Sequence, residues 1–138
     1  MKENILVVSA DAGVQNLLKD VLCDYEIRVH STFHSPNVLF QFYFVQPDLI
    51  ILDMHQPGNQ DGKMLQRLRE HSAVPIVALV DPGQYEIKML CLNGGADDVL
   101  AVPFAELELR ARVRALLRRA QVRRALRWPA AVTAVEGR

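Results

Sequence analysis

The sequence has little or none of several features that mark well-known protein classes. Its only two cysteines, Cys23 and Cys91, lie far apart in helix-like stretches, so we expect reduced, buried thiols in a cytoplasmic protein and no disulfide framework. No apolar run is long enough to span a bilayer, and no basic-then-apolar leader opens the chain. The four histidines lack metal-site spacing, and no P-loop or GxGxxG motif follows the first apolar run. These absences argue against a membrane span, a histidine metal centre and a nucleotide- or flavin-binding protein.

The composition that remains is that of one globular domain. Of the 138 residues, 50% are hydrophobic and 23% are charged, which suffices for a sizeable core. The net charge is zero, but residues 105–138 hold nine arginines against three acidic residues and so carry about +6. We interpret this basic stretch as a solvated helix with an interaction face, and expect no direct binding of nucleic acid or membrane. The alternative, nucleic-acid contact through residues 105–127, predicts strongly salt-dependent DNA binding.

Apolar, strand-like segments alternate five times with stretches of helical periodicity. The predicted strands, β1 to β5, are residues 4–9, 26–30, 48–53, 75–80 and 98–102. The predicted helices are α1 (capped by Asp11 and running to Leu22), α2 (starting at Ser35-Pro36 and continuing through 38–45), α3 (61–70), α4 (84–93) and α5 (105 to about 126). Strands that are apolar throughout belong to a parallel sheet that helices cover on both faces. The pattern predicts an α/β, doubly wound, flavodoxin-like (βα)5 fold with its functional crevice at the carboxyl ends of the strands.

At that crevice, the carboxyl ends of β1, β3, β4 and β5 converge. They bring together Ser9, Ala10, Asp53, Val80, Asp81 and Val102. Around them the motifs ILVV, LIILD, PG-x-x-DG, PIVAL, GADD and PF form a frame that resembles the receiver domain of bacterial response regulators. The resemblance covers residues 5–119 and implies a CheY-like strand order, 2-1-3-4-5.

By this resemblance Asp53 is the candidate phosphoacceptor, but the residues that should assist it are missing. A receiver transfers a highly charged phosphoryl group to its own aspartate, which requires Mg²⁺ and a lysine to neutralise the charge. The acidic pair that would hold Mg²⁺ reads Ser9-Ala10, and Asp11 lies one position too late and is better explained as a helix cap. We therefore expect no bound metal and no cofactor.

Other positions of the crevice also depart from the family pattern in ways that disfavour phosphoryl transfer. Val80 replaces the hydroxyl residue of the fourth strand, Val102 replaces the lysine, and Val99 replaces a switching aromatic residue. Asp81 replaces a small residue and would repel an incoming anion. We expect that Asp53 is not phosphorylated by the usual mechanism; the alternative is a functional phosphoacceptor that takes phosphate from a histidine kinase with Mg²⁺. The resemblance also implies a cis peptide bond before Pro103.

The surface formed by α4, β5 and α5 carries charges that match the family's dimer interface. In receivers of the OmpR/PhoB type, such charges form cross-subunit ion pairs in a twofold dimer. By resemblance, the pairs here are Lys88 with Glu108, Asp97 with Arg119, and Asp98 with Arg112. Solvated surface charge is the alternative, because single exposed pairs contribute about 0–1 kcal/mol. We expect a homodimer through this α4-β5-α5 face, with each pair used twice.

The predicted helix α2 is apolar nearly all round, which is typical of a helix buried on more than one side. We expect that it adds depth to the core, and a partner surface is the alternative.

Together, the residues and the resemblance predict a signalling module and no enzyme. Residues 1–120 are the receiver domain, and residues 121–138 are the end of α5 plus a linker or disordered tail, since periodicity is lost from Trp128-Pro129 onward. We expect an atypical receiver that acts without phosphorylation as a dimerisation or regulatory module of a cytoplasmic transcription regulator. Its expected partner is a histidine kinase or another regulatory protein.

Overall fold

The computed structural model describes residues 2–33, 37–55 and 61–136, with side chains described up to residue 122. Its strands are β1 (Glu3–Val8), β2 (Ile27–Thr32), β3 (Leu49–Asp53), β4 (Ile76–Val80) and β5 (Asp98–Ala101). Its helices are α1 (Ala12–Leu22), α2 (Val38–Val45), α3 (Lys63–His71), α4 (Tyr85–Asn93) and α5 (Glu106–Glu136). The predicted bounds agree within two residues, except at the end of α5 and at the start of α2, where Ser35-Pro36 lies outside the described residues.

The five strands form one parallel sheet in the order β2-β1-β3-β4-β5. Ile5 of β1 pairs with Val29 of β2 on one side and with Leu49 of β3 on the other. A helix connects each strand to the next strand along the chain, and these crossovers place helices on both faces of the sheet. The predicted flavodoxin-like fold and strand order are therefore confirmed. The order reverses beside β1, so the carboxyl ends of β1 and β3 border the crevice.

Two apolar layers, one on each face of the sheet, form the core. The first layer lies under α1 and α5 and includes Leu18, Leu109 and Val113. The second lies under α2, α3 and α4 and includes Val38 and Leu65. Burial of one such aliphatic side chain contributes about 1.5–3 kcal/mol, so these layers are the main source of stability.

Two local predictions are confirmed at the ends of α1 and β5. The Asp11 carboxylate caps α1, because its Oδ1 accepts hydrogen bonds from the backbone N–H groups of Gly13 (2.8 Å) and Val14 (3.2 Å). The peptide bond between Val102 and Pro103 is cis. Oδ1 of Asp11 is thus engaged as the cap of α1.

Helix α5 continues further than the sequence indicated. It ends at Glu136 rather than near Leu126, so the expected loss of regular structure after Trp128-Pro129 is wrong for residues 127–136. Proline lacks an amide donor within a helix, but the arginine, alanine and leucine residues around it have high helix propensity. The loss of amphipathic periodicity therefore marked the end of the packed part and not of the helix. Within the described chain, no helix is long and apolar enough to cross a membrane.

The burial of the two cysteines was predicted only in part. Cys91 lies on the buried side of α4, whereas Cys23 follows α1 as its C-cap residue and is exposed. Both are free thiols. At the C-cap the backbone of Cys23 is extended and has left the helix, so the helical periodicity no longer sets the direction of its side chain.

The expectation that α2 adds depth to the core is wrong. Val38 and Phe42 are buried against the sheet, whereas Phe40, Tyr43 and Phe44 are exposed to solvent. A helix that is apolar all round has no preferred direction of burial in its sequence pattern, so the pattern could not distinguish these two faces.

Candidate functional site

Asp53 ends β3 at the crevice, and its carboxylate is buried, with 2% of the residue exposed. The Ser9 hydroxyl donates to Oδ2 at 2.8 Å, and the backbone N–H of His55 donates to Oδ1 at 2.9 Å. Both carboxylate oxygens are thus engaged by donors of the chain itself. Hydrogen bonds to a charged acceptor are stronger than those between neutral groups, so these contacts hold the buried charge in place.

Ser9 forms structural hydrogen bonds at a position where the family has a metal-binding carboxylate. It is fully buried just after β1, and its Oγ also accepts a hydrogen bond from the backbone N–H of Asp11 at 3.1 Å. Ala10, the other position of the pair, is exposed and has no polar side-chain atom. The structure therefore brings Ser9 to Asp53 as predicted, but it leaves Ala10 outside their contact.

These residues do not fit a magnesium site. Mg²⁺ is a hard ion that takes oxygen ligands, usually one or two carboxylates beside water or phosphate oxygens. Here the Ser9 hydroxyl donates to Oδ2 of Asp53. A metal ion bound to Oδ2 would have to replace this donor. Among the described residues, no group of three or more histidine, cysteine, aspartate and glutamate side chains could hold a metal ion.

A histidine next to Asp53 forms a contact that the sequence reasoning missed. Nε2 of His55 lies 2.7 Å from Oδ1 of Asp81, and Nδ1 lies 4.0 Å from Oδ1 of Asp53. His55 follows Asp53 by two residues and Asp81 follows β4, so adjacent strand ends were the signal that could have found the pair. The Asp81 carboxylate stands at the mouth of the crevice as predicted, but the imidazole restrains it.

The valines of the crevice belong to the apolar layers. Val80 is buried in the layer under α2, α3 and α4, and Val102 is partly buried against the layer under α1 and α5. Beside Val80, a half-open cavity of about 250 Å³ is lined by residues that include Asp81, Lys88 and Val99. Neither valine offers a hydrogen-bond donor or a charge to a phosphoryl oxygen.

On the α4-β5-α5 face, Asp97 is bound within its own chain. Nη2 of Arg69, on α3, lies 2.6 Å from Oδ2 of Asp97, and the backbone N–H of Ile76 donates to the same oxygen at 2.8 Å. Arg69 also donates from Nε to the carbonyl oxygen of Gly95 at 2.8 Å. A cross-subunit bond from Arg119 to Asp97 would therefore have to share a carboxylate that already has two donors.

Asp98 and Arg112 pair within one chain. Nη1 of Arg112 lies 3.0 Å from Oδ1 and 2.9 Å from Oδ2 of Asp98, and Nε lies 3.3 Å from Oε1 of Glu108. Hydrogen bonding to Asp98 raises the pKa of Arg112. Lys88 and Arg119 are exposed, and neither forms an ion pair with a described residue. Of the six predicted interface charges, these two cations are the ones left without an intrachain partner in the described part.

Other arginines of α5 bind to α1 and to the connection between α1 and β2. Nη2 of Arg114 lies 2.7 Å from Oδ2 of Asp24, and Nη2 of Arg110 donates to the carbonyl oxygen of Val21 at 3.1 Å. Backbone hydrogen bonds from Glu26 and Ile27, together with Arg114, lower the pKa of Asp24. These arginines are engaged within the domain, which leaves fewer of them for a nucleic-acid contact.

Comparisons with known proteins identify the family. Residues 5–114 match the model of the response regulator receiver domain. The chain is 34% identical over 116 residues to the KDP operon transcriptional regulatory protein KdpE of Escherichia coli (strain K12), a match that covers 84% of this chain and 52% of that protein. It is 37% identical over 119 residues to the DNA-binding response regulator MtrA of Mycolicibacterium paratuberculosis, covering 86% of this chain and 53% of that protein.

A solved structure agrees with this assignment. A putative response regulator from Chloroflexus aurantiacus superposes with a TM-score of 0.78 at 30% identity, covering 86% of this chain and 99% of that one. The chain spans about half the length of the curated relatives it matches. Its strand order, the position of Asp53 and these matches agree, and the chain therefore belongs to the family of response regulator receiver domains of two-component systems, with OmpR/PhoB-type regulators among its relatives.

Proposed function

We propose that this receiver domain serves a cytoplasmic transcription regulator as a dimerisation module, and that phosphorylation of Asp53 does not set its state. The observation that carries the proposal is the buried Asp53 carboxylate, whose two oxygens already accept from Ser9 and from the His55 backbone. The similarity to KdpE, a transcriptional regulatory protein, and to MtrA, a DNA-binding response regulator, supports the regulatory role. The input comes from a histidine kinase or another regulatory protein, and the domain itself is not an enzyme.

The first argument concerns the incoming charge. A transferring phosphoryl group needs cationic neutralisation in the transition state. Val102 is uncharged at the position of the family's lysine, and the Asp81 carboxylate adds negative charge at the mouth of the crevice. An anionic donor would therefore meet a carboxylate where a receiver normally provides a cation, and its phosphorus would have to bond to a carboxylate oxygen that already accepts from Ser9 or His55.

The second argument concerns the coupling between phosphate and the dimer face. In receivers a hydroxyl residue on β4 bonds the phosphoryl group and so transmits its presence to the surface. Val80 has no hydroxyl and is buried in an apolar layer. Phosphorylation, even if it took place, would lack this connection to the α4-β5-α5 face.

The dimer is proposed through the α4-β5-α5 face, with a modified set of pairs. Lys88 and Arg119 have no intrachain partner among the described residues, so they are the cations available to a second subunit. Their proposed acceptors are Glu108 and Asp97 of the other copy, each of which then binds two cations. The pair Asp98–Arg112 stays within each subunit and orders the surface between them. Exposed pairs contribute about 0–1 kcal/mol each, so they fix the geometry of the dimer more than its affinity.

The test combines phosphorylation and size. The protein is incubated with Mg²⁺ and acetyl phosphate, its intact mass is read beside an Asp53→Asn control, and its molar mass in solution is measured with and without this treatment. We expect no phosphate adduct and an unchanged proportion of dimer. An adduct that disappears in the Asn variant, with an accompanying shift toward the dimer, would refute the proposal and establish Asp53 as an ordinary phosphoacceptor.

A charge variant tests the interface separately. Lys88→Glu and Arg119→Glu together should convert the dimer to monomer, because both cations become repulsive toward their acceptors. The matched control is Lys63→Glu on α3, an exposed lysine outside this face. If the double variant keeps the dimer as well as the control does, the α4-β5-α5 face is not the interface.

A further inference from the structure

Helix α2 presents an aromatic face to solvent. Phe40, Tyr43 and Phe44 are 67%, 56% and 75% exposed, whereas Val38 and Phe42 on the opposite side are buried against the sheet. At 3.6 residues per turn the three exposed rings fall within an arc of about 100°, so they form one continuous strip. Exposed apolar residues scattered singly are normal, but a contiguous strip of three aromatic rings marks an interaction surface.

Contacts within the domain hold this strip in one arrangement. The rings of Phe40 and Phe44 stack, with centroids 6.2 Å apart and planes inclined by 15°. The Tyr43 hydroxyl lies 2.6 Å from Nδ1 of His71 at the end of α3, and the two rings meet edge to face. Side chains that are already ordered lose little conformational entropy when a partner binds.

The charge of the surface restricts the kind of partner. The segment Val38–Val45 has no charged side chain, and the chain has a net charge of zero. A strongly charged partner would find nothing complementary on α2. A second copy of this chain would meet no like charge on α2 itself, and the zero net charge of the chain sets up no overall repulsion between two copies.

The area of the strip is that of an interface core. Three rings exposed to this degree present about 400 Å² of surface, taking about 200 Å² for a whole aromatic side chain. A stable interface buries about 800 Å² on each partner, with an apolar core inside a polar rim. The strip supplies roughly half of that area, and Gln41 of α2 and His71 beside the strip are polar residues suited to the rim.

We propose that α2 is a second self-association surface, at which two copies of this chain pack their α2 helices antiparallel across a twofold axis. Phe40 and Phe44 of each copy then lie between those of the other, as isologous contact requires. α2 packs on β1 and β2, whereas the α4-β5-α5 face lies at the β5 edge. The two surfaces lie toward opposite edges of the sheet, so one chain can use both at once and dimers can join into a tetramer.

The test is sedimentation equilibrium of the whole chain over a wide range of concentration. It compares three proteins: the parent, a double variant that carries both Phe40→Gln and Phe44→Glu, and the matched control Tyr25→Glu. The control alters an aromatic residue that is 95% exposed in the α1–β2 connection. All three proteins are also measured with Lys88→Glu and Arg119→Glu, which removes the other proposed interface. In that background we expect a saturable monomer–dimer equilibrium that the α2 variant weakens by at least about 30-fold and the control leaves unchanged, since aromatic residues at an interface centre are commonly worth 2 kcal/mol or more.

A positive readout complements the loss of association. In a Cys23→Ser background, where Cys91 is buried, the exposed cysteine introduced by Phe44→Cys should form an intermolecular disulfide on mild oxidation, whereas that introduced by Tyr25→Cys should not. Equal masses of the α2 variant and the parent at all concentrations would overturn the proposal. So would an increase in mass that never saturates, because this indicates non-specific adhesion, and so would association only with a different protein.

Discussion

The hydrogen bond from Ser9 to Asp53 should contribute measurably to stability, and Ser9→Ala tests this. Both residues are buried, and the hydroxyl lies 2.8 Å from the carboxylate oxygen. Hydrogen bonds to charged groups contribute about 1.5–3 kcal/mol, and a buried acceptor that loses its donor retains its desolvation penalty. Because the His55 amide still binds the other oxygen, we expect the lower part of this range, about 1.5–2 kcal/mol. For a domain of this size that corresponds to a fall in Tm of about 5–8 °C.

A double-mutant cycle with Asp53→Asn isolates the contact. Where several carboxylates crowd one site, neutralising one of them relieves repulsion and stabilises the fold. Here the carboxylate has hydroxyl and amide donors, so Asp53→Asn should destabilise the fold by about 1–2 kcal/mol, as charge-assisted bonds become neutral ones. Urea denaturation of the parent, the two single variants and the double variant should give a coupling energy of about 1 kcal/mol between the two positions.

Two results would refute this reasoning. One is a coupling energy within about 0.5 kcal/mol of zero, which is what independent sites give. The other is a stabilised Asp53→Asn variant, which would mean that repulsion among carboxylates dominates the crevice and that the acceptor remains poised for a cation.

Three further predictions follow from the same contacts. Addition of Mg²⁺ should leave Tm unchanged, since a ligand stabilises a protein only by binding its folded state; a rise in Tm that disappears in Asp53→Asn would contradict the proposed lack of a metal site. Arg69→Met should lower the free energy of unfolding by about 2 kcal/mol, because the partly buried guanidinium binds both Asp97 and the Gly95 carbonyl; a loss below about 0.5 kcal/mol in urea denaturation would show that these bonds contribute nothing net. A thiol reagent should label exposed Cys23 at once but Cys91 only as fast as the fold opens, since burial raises the pKa of the Cys91 thiol and blocks access to it; equally fast labelling of both would contradict the burial of Cys91.

The sheet could be predicted because its strands carry an unambiguous pattern. The segments Leu49–Asp53 and Ile76–Val80 are buried along their whole length, and an uninterrupted apolar run of strand length fits only a sheet covered on both faces. Parallel order then places the residues after each strand along one edge, which is how Asp53, Ser9 and Asp81 could be assigned to the same crevice.

Directions within the helices and contacts across strand ends could not be predicted in the same way. The segment Val38–Val45 is apolar on every side, so its sequence carries no signal for the face that is buried. The pair His55–Asp81 and the pair Arg69–Asp97 each join residues more than 25 positions apart. Whether two such side chains meet depends on how far one strand or helix extends beside another. The types and spacing of the residues in the sequence do not give that distance.

The two valines of the crevice, Val80 and Val102, contribute to the packing of the fold on both faces of the sheet. Val80 extends the apolar layer on one face of the sheet and Val102 extends the layer on the other, so both layers reach the neighbourhood of Asp53. A hydroxyl or an ammonium group at these positions would need a polar partner or would incur a desolvation penalty. Beside these valines, the Asp53 carboxylate accepts hydrogen bonds from the Ser9 hydroxyl and from the His55 backbone N–H. Valine at these two positions therefore avoids that penalty and adds to core packing, while the Ser9 hydroxyl donates a hydrogen bond to the buried Asp53 carboxylate.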